Sequence, residues 1–164
     1  DNGTPSASLF NLMAVLAMRK DNLTAAKNWI DKALAAAPTY APALVNRAHL
    51  AMKNIEYEAA ELDLKQALVF DPGSTQALVA LGLTLRHQGR LEDAKATFEK
   101  AIDVEPENAE ARYNLAILMV ENFKRPHVAA RLFHEVTLSA PRASRLYSMA
   151  ERYLHQLEQH NEQL

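Results

Sequence analysis

The segment from Thr75 to Pro106, TQALVALGLTLRHQGRLEDAKATFEKAIDVEP, contains two amphipathic stretches of similar length that are separated by Gln88-Gly89-Arg90. Apolar and small residues in the first stretch follow the spacing of one helical face, at Leu78, Leu81, Gly82 and Leu85. The second stretch repeats that spacing with Ala94, Phe98, Ala101 and Ile102. Gly89 stands where a reversing chain needs a positive φ. The segment therefore predicts a helical hairpin that ends at Pro106.

Prolines recur along the chain with the period of this hairpin. They stand at Pro38, Pro72, Pro106 and Pro141, so the intervals are 34, 34 and 35 residues. Small residues follow the same register in the first helices, at Ala14, Ala48, Gly82 and Ala116. In the second helices they align at Ala26, Ala60, Ala94 and Ala130. We place the extra residue of the fourth unit in the turn from Asn122 to Pro126. A fixed period of this length predicts stacked, similar helix pairs.

The pattern predicts eight paired helices, at about 7–20 and 23–36, 41–54 and 57–70, 75–88 and 91–104, and 109–122 and 126–139. It divides the chain into a lead-in (1–6), four repeats (7–141, at about 7–40, 41–74, 75–108 and 109–141), a C-terminal helix segment (142–160) and a tail (161–164). The ninth helix, from Ala143 to about Gln159, has one apolar face. We expect it to cap the last repeat, as stacks of repeats require; the alternative is a dimerisation or partner helix.

The period and its landmarks resemble the tetratricopeptide repeat (TPR), a helix-turn-helix motif of 34 residues. The resemblance covers roughly Ala7 to Pro141, and it is closest in Thr75–Pro106 and in the AEARYNLA sequence of Ala109–Ala116. The large aromatic residue that the family carries early in its first helix is here Phe10, Leu44, Leu78 and Arg112. The resemblance implies an all-α fold, a right-handed superhelical α-solenoid of antiparallel helix pairs.

The resemblance also implies a binding surface, because the first helices of successive TPR units line a concave groove that takes a peptide or helix of another protein. The corresponding positions are Asn11, Val15, Met18, Val45, His49, Met52, Gln76, Val79, Leu83, Arg86, Tyr113, Ile117 and Val120. Some of the apolar side chains could instead pack between repeats. We nevertheless expect an accessible apolar stripe, formed by Val45, Val79, Leu83 and Ile117.

Co-chaperones of the family grip a C-terminal carboxylate through Lys, Asn and Arg side chains in this groove. The corresponding positions here include Asn11, Val15, Asn46, Gln76 and Ala80, and only Asn46 and Asn11 suit that task. Since the cationic residues are missing, the sequence favours an apolar or mixed ligand. An amphipathic helix with anchors at i, i+3, i+4 and i+7 is one such ligand.

Composition argues against several other functions. A formal charge of −2 provides no basic field for nucleic acid, and no apolar run reaches the length of a transmembrane helix. The absence of cysteine excludes thiolate metal sites and nucleophiles. The six histidines form no His-Glu-x-x-His motif. We therefore expect no catalytic residues, no metal and no cofactor, and the chain is not predicted to be an enzyme.

These observations favour a non-enzymatic scaffold that assists the assembly of a multiprotein complex. Two alternatives stay open: a module that forms homo-oligomers through its end helices or convex face, and a docking domain of a larger protein, which Asp1 in place of an initiator Met allows. The Ala-rich, Cys-free style is similar to bacterial TPR proteins of pili, secretion machines and the envelope. It predicts a soluble chain in the periplasm or at the envelope, with the cytoplasm as the alternative.

Overall fold

The computed structural model describes residues 6–161, with side chains to residue 159. This range contains α-helices and no strand: α1 (Ala7–Arg19), α2 (Leu23–Ala36), α3 (Ala41–Lys53), α4 (Tyr57–Phe70), α5 (Thr75–His87), α6 (Leu91–Val104), α7 (Ala109–Glu121), α8 (Pro126–Ser139) and α9 (Arg145–Asn161). Every predicted helix is present, with ends that agree to within two residues, and the all-α fold is confirmed. Most of the predicted lead-in and tail lies outside the described residues.

Side-chain caps begin five of these helices. In each case a side-chain oxygen accepts a hydrogen bond from the backbone N–H three residues later, as N-caps do; the caps are Ser6, Asn22, Ser74, Asn108 and Ser144. Helix α3 follows Tyr40 without a side-chain cap, and Pro42 lies in its first turn. Proline suits this position because the first N–H groups of a helix have no partner within the helix.

A residue with positive φ lies in each turn between the first and second helices of a repeat. The turns after α1, α3 and α5 have three residues, and their central residues are Asp21, Ile55 and Gly89, with φ of 54°, 65° and 76°. The turn after α7 has four residues and places Lys124 at 55°. The predicted extra residue is therefore in this turn. The left-handed conformation lets the chain end one helix and enter the next.

The second helices bury a repeated triplet of side chains, each of them fully inaccessible to solvent. The triplets are Ala26, Ile30 and Ala33 in α2, Ala60, Leu64 and Ala67 in α4, Ala94, Phe98 and Ala101 in α6, and Ala129, Phe133 and Val136 in α8. The predicted alignment of Ala130 is wrong, because Ala129 is the buried residue and Ala130 is only half-buried. The extra turn residue shifts all of α8 by one position, so its small residue keeps the four-residue spacing to Phe133.

The chain divides into two compact units, with the boundary between Gln88 and Gly89. In the first unit, α1 packs on α2 and α3 on α4, while α2 and α4 pack on α3 and α5 respectively. The first helices α1, α3 and α5 lie side by side in this unit. In the second unit, α7 packs on α6 and α8, and α9 packs on α8 and α7. Among residues 6–161, no helix is long and apolar enough to cross a bilayer.

We predict that Ala94→Leu lowers the free energy of unfolding by about 1–3 kcal/mol, because added methylene groups have no space on a fully buried face. Ala96→Leu is the matched control, since Ala96 lies in the same helix and is exposed; its effect should stay within about 0.5 kcal/mol. Urea denaturation followed by circular dichroism measures both. Equal effects of the two substitutions would contradict the assigned buried face.

The strained turn residue Ile55 leads to a second prediction. An L-residue in the left-handed region costs about 1–2 kcal/mol, and Ile55 is 71% exposed, so its side chain makes few contacts that glycine would lose. After the entropy cost of glycine, we expect Ile55→Gly to stabilise the protein by about 0.5–1 kcal/mol. Gly89→Ala, where an added Cβ meets no atom within 4 Å, should destabilise it by about 1 kcal/mol. If Ile55→Gly instead lowered the free energy of unfolding in the same denaturation assay, the inference that the backbone is strained at Ile55 would be wrong.

Candidate functional site

The predicted groove residues of the first unit lie on one face of each first helix. Those of α1 and α3 are spaced three or four residues apart, and α1, α3 and α5 are neighbours. The half-buried members are Asn11, Val15, Met18, His49, Met52, Leu83 and Arg86, while Gln76 is exposed. This set defines the groove face, an array of partly accessible side chains on three adjacent helices.

Two predicted members of the groove face are core residues. Val45 is 2% and Val79 is 4% exposed. These two side chains therefore pack inside the unit, as the alternative interpretation of the apolar groove positions expects, and do not line an open groove. Valines at these positions stabilise the unit by burial of apolar area and offer no surface to a ligand. The accessible apolar part of the groove face is therefore formed by Val15, Met18, Met52 and Leu83.

Asn11 and Asn46 hydrogen-bond to each other across α1 and α3. The Nδ2 group of Asn46 donates to Oδ1 of Asn11 over 2.8 Å, and Asn46 is only 7% exposed. These are the two residues that suit a carboxylate clamp, the set of groove side chains with which co-chaperones of the family grip a C-terminal carboxylate. A buried amide that lacked this partner would carry a desolvation cost, so the pair stabilises the helix contact. The other clamp positions named from the sequence, Val15, Gln76 and Ala80, contribute no cation.

His49 is the titratable residue on the groove face of α3. Burial lowers the pKa of its imidazole below the ordinary value of 6.5, since a charged ring is costly to desolvate. The ring is consequently neutral at pH 7. A neutral imidazole beside Met52 leaves this part of the groove face free of formal charge.

We predict that His49 makes the protein less stable in weak acid. The unfolded chain binds a proton near pH 6.5, whereas the folded imidazole resists protonation, so stability falls as the pH drops below 6.5 and levels off below the folded pKa. His49→Gln should therefore lose less stability than the wild type between pH 7 and pH 5. Urea midpoints at both pH values measure this. His127→Gln is the control, because His127 is exposed; an identical pH response of all three proteins would contradict the prediction.

In the second unit, the predicted groove residues Tyr113, Ile117 and Val120 lie on α7. Tyr113 and Ile117 are 8% and 6% exposed, and Val120 is half-buried. The Tyr113 ring lies 5.6 Å from Phe133 of α8 and 6.3 Å from Tyr153 of α9, and Phe133 stacks on Tyr153 at 5.0 Å. Desolvation raises the pKa of the Tyr113 hydroxyl. Tyr113 thus belongs to an aromatic cluster that joins α7, α8 and α9, and Val120 is the accessible member of the three.

A cavity of about 390 Å³ in the first unit was not predicted. It lies between α2, α3 and α4, and its apolar lining includes Leu23, Leu50 and Leu62. Its charged lining includes Arg47, which donates two hydrogen bonds to the buried carboxylate of Asp63 over 2.7 and 2.6 Å. These bonds hold the pKa of Arg47 above its ordinary value. Asp63 lies three residues after Ala60, on the buried face of α4. Because a buried carboxylate requires a cationic or hydrogen-bonding partner, an aspartate at this position in the sequence could have indicated the ion pair.

This cavity and the groove face use opposite sides of α3. Arg47, Leu50 and Ala51 line the cavity, whereas His49 and Met52 lie on the groove face. At 100° per residue, the two sets point in different directions. Among the described residues, no three His, Cys, Asp or Glu side chains come together as ligands of a metal ion would. The groove face thus combines apolar side chains with Asn11, Gln76, His49 and the cationic Arg86, whereas the cavity lining carries charges of both signs.

Comparisons with known proteins identify the repeat. Two family models described as tetratricopeptide repeat match residues 45–102 and 85–153. Sperm-associated antigen 1 of Mus musculus is 36% identical over 88 residues, which are 54% of this chain and 10% of that protein. The chain thus spans about a tenth of the length of this curated relative, and the same holds for the rat protein, at 33% identity.

Solved structures agree with the fold. The crystal structure of the APC/C hetero-tetramer Cut9–Hcn1 matches 93% of this chain and 30% of its own, with a TM-score of 0.80 and 14% identity. The first TPR of Spaghetti (RPAP3), bound to the HSP90 peptide SRMEEVD, matches 70% of this chain and 94% of its own, with a TM-score of 0.67 and 23% identity. The matched family models, the 34-residue register and the helix pairs assign this chain to the tetratricopeptide repeat family.

Proposed function

We propose that this TPR chain is a non-enzymatic protein-interaction scaffold that binds a partner's peptide or helix on the groove face of α1, α3 and α5. The observation that carries the proposal is the set of half-buried apolar side chains there: Val15, Met18, Met52 and Leu83. Partly accessible apolar groups on adjacent helices gain free energy when a partner covers them. Two methionines add adaptability, because the unbranched thioether conforms to ligands of different shape.

The chemistry of the groove face favours an amphipathic ligand over an acidic C-terminus. The RPAP3 structure contains a bound peptide, SRMEEVD, which supports a peptide as the class of ligand. In this chain the asparagines at the clamp positions are paired with each other, and Val15 and Ala80 are uncharged. A helix with apolar anchors at i, i+3, i+4 and i+7 would bring one continuous apolar side to these accessible side chains.

Two further readings rest on separate observations. This chain matches only 10% of the length of its curated relatives, and this favours a docking domain of a larger protein. Exposed leucines on α1, at Leu9, Leu12 and Leu16, suit the homo-oligomer that the sequence leaves open as an alternative. The compartment stays a prediction of the sequence: a periplasmic or envelope setting, with the cytoplasm as the alternative, rests on composition alone.

We predict that Met52→Glu combined with Leu83→Glu weakens partner binding at least about tenfold, since two carboxylates would have to lose water against apolar ligand groups. Val79 is unsuitable for this test because glutamate at a position with 4% exposure would destabilise the fold. The measurement is capture from a native extract by immobilised protein, with mass spectrometry of what is retained.

The matched control carries Val69→Glu and Leu138→Glu, which add the same charges at residues that are 73% and 74% exposed and lie outside the groove face. Circular dichroism verifies that both variants are folded. We expect the control to retain the partners of the wild type and the groove variant to lose them. Retention of the same partners by a folded groove variant would overturn the proposal.

A further inference from the structure

The cavity between α2, α3 and α4 has the size and the wall chemistry of a site for a small organic molecule. Its volume of about 390 Å³ falls within the range of roughly 300–1,000 Å³ in which proteins hold such ligands. Leu62 is 69% exposed, so the cavity opens to solvent beside this residue. Most of its surface is apolar, and the apolar residues that line it are Leu23, Leu50, Ala51, Ala59 and Leu62.

The repeat register shows that the large cavity is a particular feature of the second repeat. Ala51 lines it, whereas the residues at the same position of the next two repeats are Leu85 and Met119, each only 3% exposed. Met119 lines a cavity of the second unit together with Lys95, the counterpart of Lys27, and that cavity measures only about 40 Å³. Because a large buried side chain fills volume that alanine leaves empty, Ala51 keeps open a space that is narrow in the fourth repeat.

A buried ion pair in the cavity wall is a second particular feature of this repeat. Arg47 donates two hydrogen bonds to Asp63, and Asp63 is 6% exposed. The counterparts of Arg47 are Leu81 and Leu115, which are 8% and 6% exposed. Since apolar residues of similar volume stabilise a protein as well as a buried ion pair does, the repeat fold does not require the pair. The second repeat thus has charge in a wall that is apolar at the same position of later repeats.

The charges around the cavity favour a cationic ligand. The lining contains two cations, Lys27 and Arg47, and three carboxylates, Asp31, Glu56 and Asp63, so its formal charge is −1. Arg47 and Asp63 neutralise each other through their direct ion pair. Lys27 is then outnumbered by Asp31 and Glu56, and all three of these residues are exposed. A cation at the mouth of the cavity is attracted by this excess of carboxylates, whereas an anion is repelled by it.

We propose that the cavity binds a small organic cation, a molecule with an ammonium or amidinium group on an apolar body. The apolar body packs among Leu23, Leu50 and Leu62, where it loses contact with water. The charged group stays at the open side of the cavity, near the carboxylates of Asp31 and Glu56, so it keeps much of its hydration. This site is separate from the groove face, which lies on the opposite side of α3.

Benzamidine, benzamide and benzoate are matched probes for this site, because they share one ring and are respectively a cation, a neutral amide and an anion at pH 7. Titration of the isotope-labelled chain, followed by two-dimensional NMR, measures each dissociation constant and shows which backbone amides respond. We expect the response at the lining residues Lys27, Ala51 and Ala59. Benzamidine should bind at least about threefold more tightly than benzamide and about tenfold more tightly than benzoate.

Charge variants test whether the carboxylates attract the cation. Asp31→Asn combined with Glu56→Gln should weaken benzamidine binding about fivefold, since the double change removes two attractive charges and leaves the shape almost unchanged. Lys27→Gln should strengthen that binding about twofold, because it removes a repelling charge. Benzamide is the control, since a neutral probe should bind the wild type and both variants equally. All three residues are exposed, so the substitutions should leave the fold intact.

A cavity-filling variant tests the apolar walls. Ala51→Leu combined with Ala59→Leu places two larger side chains in the cavity, and the buried Leu85 shows that the repeat accepts leucine at the first of these positions. Benzamidine binding should fall at least about tenfold. Ala36→Leu with Ala96→Leu adds the same groups at exposed residues outside the lining and should leave the binding unchanged. Circular dichroism verifies that both variants are folded.

Cavity binding and groove binding can be distinguished with the same variants. Met52→Glu with Leu83→Glu should lose the captured partner and keep its affinity for benzamidine, whereas the cavity-filling variant should do the reverse. Three results would overturn the proposed site: no response of the lining amides to any probe, tighter binding of benzoate than of benzamidine, or full benzamidine affinity in the folded cavity-filling variant.

Discussion

The fold depends on the close contacts made by small, fully buried residues on the second helices. Ala26, Ala60, Ala94 and Ala129 are completely inaccessible to solvent, and each precedes a large buried residue by four positions. Alanine at these positions permits the close approach of neighbouring helices, and the large side chain fills the space beside it. Because the contact recurs in every repeat, one local solution to helix packing specifies most of the described structure.

The sequence predicted the helices well because their determinants are local and periodic. Caps such as Ser74, turn residues such as Gly89 and a regular apolar period act within a few residues, so they can be read without knowledge of distant contacts. The misplaced Ala130 shows where this reasoning fails. Ala129 and Ala130 are the same residue type, so type alone does not distinguish them. The buried face of α8 is set by the helical phase, which the four-residue turn after α7 shifts by one position.

The groove face was less predictable, because periodicity identifies a helical face but not what covers it. Val45, Val79 and Ile117 share the spacing of the accessible residues, yet neighbouring groups bury them. Tyr113 lies in an aromatic cluster that includes Tyr153 of α9, a contact over 40 positions that no local pattern reveals. The Arg47–Asp63 pair and its cavity likewise depend on three helices meeting. What remains accessible is a narrower groove face, with Val15, Met18, Met52 and Leu83 as its apolar part.

The central claim is that the first helices of the first unit bind the partner. Hydrogen–deuterium exchange of the chain, alone and with the partner that the wild type captures most strongly, tests it most directly, because ligand contact slows the opening of the helices that it covers. We expect increased protection in α1, α3 and α5 and little change on the outer, solvent-facing amides of α2 and α4. Protection confined to α2 and α4, around the cavity lined by Arg47 and Leu62, would contradict it.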